Sequence, residues 1–408
     1  MGKLKILAIP PDVHGVGKYR IMDPFKFIGD NYLDDLHVDI SFDAPNDDNF
    51  ISQYDVIIFH TFIHKLSHEE NISRIKWCKN KGIKTVMDID DLWFVDQRHP
   101  MYYQIKENKI GEKKIEMMRL SDYVTTTTPI FAQTIKEKLN IKNVEVFPNA
   151  VNEEESQFKP QPIKSEKIRF GWLGGSSHLA DLELLDGNIG VIHNNYKDKV
   201  QFVLCGYDLR GTVTEIEKDT GRVRNRPIQP LETVWYKYEN IFTDRYKVLD
   251  LDYKNYLFNF QDKPYDDLNK PYVRRWTKEI NSYATNYNYF DVSLAPLVQS
   301  QFNANKSQLK AIEAGFHKKA LIASQVLPYT LDLISAVDEG KFNSNGNALL
   351  VPPSKNHKEW WKHMKRLIDN PNMIEDLGNR LYETVKDTYA LKNVSKNRVG
   401  FLKQITNK

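Results

Sequence analysis

The stretch NEEESQFKPQPIKSEK at residues 152–167, followed by IRFGWLGGSSHLAD at residues 168–181, decides how the chain divides. The first piece carries two prolines, dense charge and little that could be buried, so it reads as a linker. The second is an apolar run that ends in Gly-Gly-Ser-Ser and passes into a helical pattern, the form of a strand, a turn and a helix. A strand that restarts after such a linker begins a second domain. Upstream, candidate strands at 4–9, 36–41, 55–59, 84–88, 123–126 and 144–147 alternate with helical patterns. Downstream, a second series runs 168–172, 200–204, 290–295, 320–323 and 348–351. Each series predicts a parallel sheet covered on both faces, so the fold class is α/β with two halves in tandem.

Length agrees with that division, because 408 residues exceed what one ordinary core needs. Lys+Arg 57 against Asp+Glu 54 leaves a net charge of +3, with 27% charged and 41% hydrophobic residues. This balance excludes a polycationic nucleic-acid arm and an acidic disordered tail. Two cysteines, Cys78 and Cys205, cannot build a disulfide framework or a cysteine-rich zinc site, which fits a reducing compartment. The apolar run before Pro10 is too short for a signal peptide, and no stretch reaches eighteen apolar residues, so a soluble or at most peripheral protein is expected. Aromatics reach 12%. Many fall between Gly206 and Tyr289, where Trp235, Tyr236, Tyr238, Tyr253, Tyr256, Tyr265, Tyr272 and Trp276 lie in a connection too long for a loop. An insertion at 206–289 follows, either as a satellite core or as a wall over a ligand.

Ligands of open α/β sheets bind beyond the carboxyl ends of the strands. After the first strand, PPDVHGVGKYR offers Gly15 and Gly17 for close backbone approach, but not at GxGxxG spacing, which disfavours a nicotinamide or flavin enzyme. After the third and fourth come His60, His64 and the run Asp88-Ile89-Asp90-Asp91. Three carboxylates in four residues repel unless a metal, a cation or substrate hydroxyls compensate, although one Asp could simply cap the next helix. Zinc lacks a third ligand beside the two histidines. In the second half, Gly174, Gly175, Ser176 and His178 form a turn able to present amides and hydroxyls to a diphosphate. Ser307, Lys310 and Glu313 follow at i, i+3, i+6 spacing, with Lys306 at the expected start of their helix, where a cation opposes the dipole unless it meets an anion.

Taken in order, GVGKYR, DVIIFHTF, DIDDLWF, SDYVTTTTPIFAQTI, VEVFPNAVN, RFGWLGGSSHLADL, DVSLAPL and NKSQLKAIEAGFHKKALIAS resemble the GT-B glycosyltransferases of the large retaining group related to glycosyltransferase family 4. The resemblance implies two Rossmann-like domains facing each other across a cleft. Residues 1–155 would form the acceptor domain and 156–390 the nucleotide-sugar domain, with 391–408 a helix crossing back. It places Glu313 on the ribose hydroxyls and puts Asn305 where the group has its first Glu. Lys306, with Arg274 and Arg275 as substitutes for an absent Arg, would meet the diphosphate. Asp90 falls near the position where the group has a histidine beside the transferred sugar, the Asp90–Asp91 pair would meet acceptor or sugar hydroxyls, and Asp90, Asp91 and His60 are the expected catalytic residues.

The activity so implied is transfer of a hexose from a nucleotide sugar, UDP or GDP being the expected carriers, to a glycan or lipid-linked glycan, with retention. No cofactor and no metal are expected beyond the donor itself, and the location expected is cytoplasmic with peripheral contact to the inner membrane face. Two rivals stand beside it. A modified base in DNA could be the acceptor, with Lys106, Lys109, Lys113, Lys114 and Arg119 as contacts, yet Glu107, Glu112 and Glu116 interleave them as on a solvated helix. A sugar-nucleotide sensor without activity could use the same fold.

Overall fold

The computed structural model describes residues 2–407 apart from 43–46, 96, 98, 100, 217–222, 260–266, 268, 339 and 354–357, so Tyr265 lies outside the described residues. Two six-stranded sheets carry the chain, and every pairing within them is parallel. The first contains β1 (Leu4–Ile9), β2 (Leu36–Ile40), β3 (Val56–His60), β4 (Lys84–Ile89), β5 (Tyr123–Thr126) and β6 (Val144–Val146), in the order β2-β1-β3-β4-β5-β6. All five residues of β3 are buried, because helices cover both faces and leave no polar alternation to read. Strand order reverses at β1, so a crevice opens between the ends of β1 and β3.

The second half repeats the plan. It begins with β7 (Ile168–Leu173) and β8 (Val200–Tyr207), then leaves the sheet for a hairpin of β9 (Thr212–Ile216) and β10 (Val223–Pro227). It returns as β11 (Tyr272–Trp276), β12 (Val292–Ala295) and β13 (Ala320–Ser324), forms a second hairpin of β14 (Val337–Asp338) and β15 (Lys341–Phe342), and ends with β16 (Leu349–Val351). The sheet order is β11-β8-β7-β12-β13-β16, with its reversal between β7 and β12.

All eleven strands expected from the sequence are present, with ends shifted by at most three residues. The insertion is corrected. Its segment 272–276 is a strand of the main sheet, so residues 206–289 are not one excursion. Two arginines hid that strand. Arg274 points to the side of Tyr272 and is sealed there against Glu239, while Arg275 lies on the opposite side over the Tyr289 ring. The aromatics mostly make a core: Trp235, Tyr238, Phe242, Tyr246, Tyr253 and Tyr272 pack on Phe170, Trp172 and Phe202.

Two chain crossings join the halves and run side by side. Val151 N–H donates to Tyr389 O at 2.9 Å, and Leu391 N–H donates to Val151 O at 2.9 Å. The helix Leu391–Thr406 then lies on the first domain, burying Val399, Leu402 and Ile405 against Ile21, Phe25 and Ile28. No helix among the described residues is long and apolar enough to cross a membrane.

Candidate functional site

The two crevices face each other and enclose a cavity of about 590 Å³. On the first domain, the loop after β1 turns around Asp12, whose carboxylate accepts from His14 N–H at 2.7 Å and Gly17 N–H at 3.2 Å. His14 and Gly15 line the cavity. Gly17 does not; a Cβ there would lie 1.9 Å from Asp12 O, so this glycine permits the turn to close. Beyond it, Arg20 is fully buried and donates to Asp88 at 2.9 and 2.7 Å, to Phe147 O at 2.6 Å and to Asn149 Oδ1 at 3.1 Å. Thr125 adds a 2.6 Å bond to Asp88. Burial raises the Asp88 pKa, but Arg20 and His60 outweigh it and hold it low. Asp88 is therefore a bolt between strands, and only Asp90 and Asp91 of the run reach the cavity.

His60 stands behind the cavity and bonds Asp90 through Nε2 at 2.9 Å. Burial alone would raise the Asp90 pKa, yet His60, Arg20 and Lys114 bring it below the usual carboxylate range. Asp91 moves up instead, through burial and the charge of Asp90, with Lys306 and Lys114 opposing. One carboxylate of the pair is thus firmly ionised and the other holds its proton more tightly, and a cation from each domain faces them.

On the second domain, the turn after β7 packs tightly at Gly174, while a Cβ on Gly175 would meet open space. A Cβ on Gly174 would sit 2.5 Å from the Trp172 ring and 2.8 Å from Lys310 Nζ, and one on Gly206 would sit 2.4 Å from Gly174 O. Lys310 Nζ donates to Leu173 O at 2.5 Å and lies 4.9 Å from the centre of the Trp172 ring. Removal from water and the nearby Lys306 bring its pKa down to about 8. His178 bonds Asp181 through Nδ1 at 2.8 Å, and burial lowers its pKa to about 4, so at neutral pH its Nδ1–H donates and Nε2 is left as an acceptor. Glu313 is 4% exposed, and burial raises its pKa to about 8 against the opposing bond from Tyr19. Tyr19 comes from the first domain. Its hydroxyl donates to Glu313 Oε1 at 2.7 Å and contacts the Tyr283 hydroxyl at 2.7 Å, while Tyr287 reaches Oε2 at 3.2 Å.

Of the residues expected from sequence, Gly15, Asp90, Asp91, Gly174, Gly175, His178, Lys306, Ser307, Lys310 and Glu313 line this one cavity. Others do not. Arg274 is occupied by Glu239 at 3.0 Å inside the core of the second domain, and Arg275 stacks on Tyr289. Asn305 is buried with its amide on Gln301 O at 2.7 Å, and Ser176 turns to a neighbouring cavity of about 400 Å³. Lys306 does not open the helix, which runs Leu309–Phe316; it follows the short helix Gln301–Ala304 and lies 4.7 Å from the centre of the Phe302 ring. Its place beside an anion therefore rests on its cavity position and not on a helix dipole. Sequence reading missed Tyr19, Asn149, Arg210, Lys278, Tyr283 and Asn286, for which only the GVGKYR loop gave a signal. Among the described residues no group of three or more His, Cys, Asp and Glu could hold a metal ion.

Chemically the cavity has a cationic and glycine-lined middle suited to a diphosphate, a carboxylate at one end and a carboxylate pair with a histidine at the other. No family model and no curated protein matches the sequence. Solved structures do. HepE from Anabaena, in complex with UDP and glucose, superposes with a TM-score of 0.57 at 10% identity, over 98% of this chain and 99% of that one. A UDP-forming α,α-trehalose-phosphate synthase from Burkholderia xenovorans gives 0.50 at 12% identity, over 85% and 73%. TarM from S. aureus, in complex with fondaparinux, α-GlcNAc-glycerol and UDP, gives 0.50 at 12%, over 85% and 55%. The twin parallel sheets, the cleft between them and this agreement along the chain establish that the protein has the GT-B fold.

Proposed function

We propose that the protein is a glycosyltransferase that moves a hexose from a nucleotide sugar to a glycan or lipid-linked glycan, with retention of configuration and without a metal. The observation that carries this reading is one cavity lined by both domains, with Glu313, Lys310, Lys306 and the Gly174–Gly175 turn from the second and Asp90 and Asp91 from the first. A nucleoside would sit by Glu313, whose carboxyl group bonds two hydroxyls, and the diphosphate by the lysines and glycine amides. The hexose then reaches Asp90 and Asp91. The UDP bound in HepE and in TarM supports a nucleotide at this cleft.

In this reading the acceptor oxygen bonds the anomeric carbon as the bond to the diphosphate breaks, and the acceptor proton passes to the departing phosphate oxygen. Lys306 and Lys310 stabilise the charge that develops there, and the halves close over the donor at the linker. Incubating the purified chain with UDP-, GDP-, ADP- and dTDP-hexoses, with and without EDTA, tests the reading. Slow release of one nucleoside diphosphate that survives the chelator is expected. No release from any donor contradicts the enzymatic reading, and release restored only by magnesium or manganese contradicts the metal-free one.

A further inference from the structure

Asn286 stands out among the buried polar groups of the cleft. It has no exposure, it lines the cavity, and neither its amide nitrogen nor its carbonyl oxygen has a hydrogen-bond partner. Leaving both ends of a carboxamide unmet is costly, and buried polar groups without partners are rare enough to need an explanation. Its neighbours are satisfied: Ala284 N–H reaches Gln157, Tyr287 reaches Glu313, and Asn288 holds Gln161 N–H.

Position supplies the explanation. Residues 283–289 form a 3-10 helix, in which positions three apart eclipse, so Asn286 shares a face with Tyr283. Tyr283 also lines the cavity and bonds Tyr19, the residue of the opposite domain that occupies Glu313. Asn286 therefore lies in the wall next to the carboxylate assigned to the ribose, in a corner that Tyr19 closes from across the cleft.

We propose that Asn286 reads the nucleobase, pairing its carboxamide with a heterocycle edge that offers a hydrogen-bond donor beside an acceptor. The inference rests on the nucleotide-sugar reading given above and names the residue that would distinguish one donor nucleotide from another. A carboxamide satisfies both of its groups at once on such an edge. Uracil and guanine present a ring N–H beside a carbonyl, whereas cytosine and adenine present an amino group beside a ring nitrogen. Withdrawal of Tyr19 as the halves part opens the corner to the base.

The test is calorimetric titration of the full chain and of Asn286→Ala and Asn286→Asp with UDP, GDP, CDP, ADP and inorganic pyrophosphate. Wild type should favour one nucleotide, and Asn286→Ala should weaken that nucleotide by about tenfold or more while leaving pyrophosphate unchanged. Asn286→Asp, nearly isosteric, has two acceptors and no amide donor, so it should weaken UDP, CDP and ADP, whose edges each turn an acceptor toward it, more than GDP, whose ring N–H and amino group offer two donors; it also serves if the alanine variant folds poorly. Unaltered affinity and ranking in both variants, or equal weakening of pyrophosphate, overturns this inference alone. Failure of wild type to bind any nucleoside diphosphate overturns instead the reading on which it rests.

Discussion

Glu313 is held by three chemistries at once: burial, a bond from the tyrosine of its own domain and a bond from Tyr19 across the cleft. Its ordinary pKa of 4.5 rises to about 8. The folded chain therefore keeps a proton that the unfolded chain has released, and wild-type stability falls as pH rises between those values. Glu313→Gln cannot titrate, so its melting temperature should gain on that of wild type between pH of about 5 and 8; a constant gap would contradict the protonated state. Glu313→Ala should weaken nucleotide binding by about 0.5 to 1.5 kcal/mol, the range for a hydrogen bond from an uncharged group, as read by titration near neutral pH. Glu313 and Lys310 were legible at this scale because a three-residue helical spacing puts them on one side, whereas Ser307 precedes the helix and meets the cavity from the connecting loop. Arg274 was misread, since residue type alone cannot say whether a guanidinium meets a ligand or a buried carboxylate such as Glu239.

Gly206 has φ of +96°, and a Cβ there would collide with the carbonyl of Gly174, the residue that shapes the turn after β7. Gly206→Ala should cost about 1 to 3 kcal/mol in denaturant unfolding and disturb the turn after β7 as well. In the first sheet, Asp88→Asn breaks the buried pair that Arg20 makes between the β1 loop and β4, so a loss of about 3 to 5 kcal/mol is expected. Wild-type unfolding in either variant would show these contacts to be dispensable. Eleven strands were legible because apolar runs bounded by turn residues carry their own signal. β11 was not, because Tyr-Val-Arg-Arg-Trp has polar residues on both sides and its burial depends on Glu239 and Tyr289, which come from elsewhere.

At the scale of the molecule, the two domains are tied by side chains far apart in sequence. Tyr19 meets Glu313 and Tyr283, Asn149 donates to Ser307 at 3.0 Å, and Lys18 bonds Glu155 of the linker at 2.8 Å. Local patterns hold no information about such pairs, so the tandem arrangement was legible and the closure was not. Tyr19→Phe removes a hydroxyl that competes for Glu313. Nucleotide should bind the variant more tightly by up to about tenfold, and the radius of gyration of the free protein from X-ray scattering should rise as the halves part. Weaker nucleotide binding would instead make Tyr19 a ligand contact.

The central claim is a division of labour, with the nucleotide held by the second domain and the sugar met by the first. Measuring both nucleotide affinity and sugar turnover in Asp90→Asn and Asp91→Asn tests it most directly. Both carboxylates line the cavity opposite Glu313, and Asp90 is oriented by His60. Interactions confined to the reacting end change turnover more than donor affinity. Turnover should fall by about a hundredfold, the scale for removing one oriented polar group at a reacting centre, while nucleotide affinity stays within about threefold. Wild-type turnover in both variants, or nucleotide binding lost in step with turnover, would contradict the division.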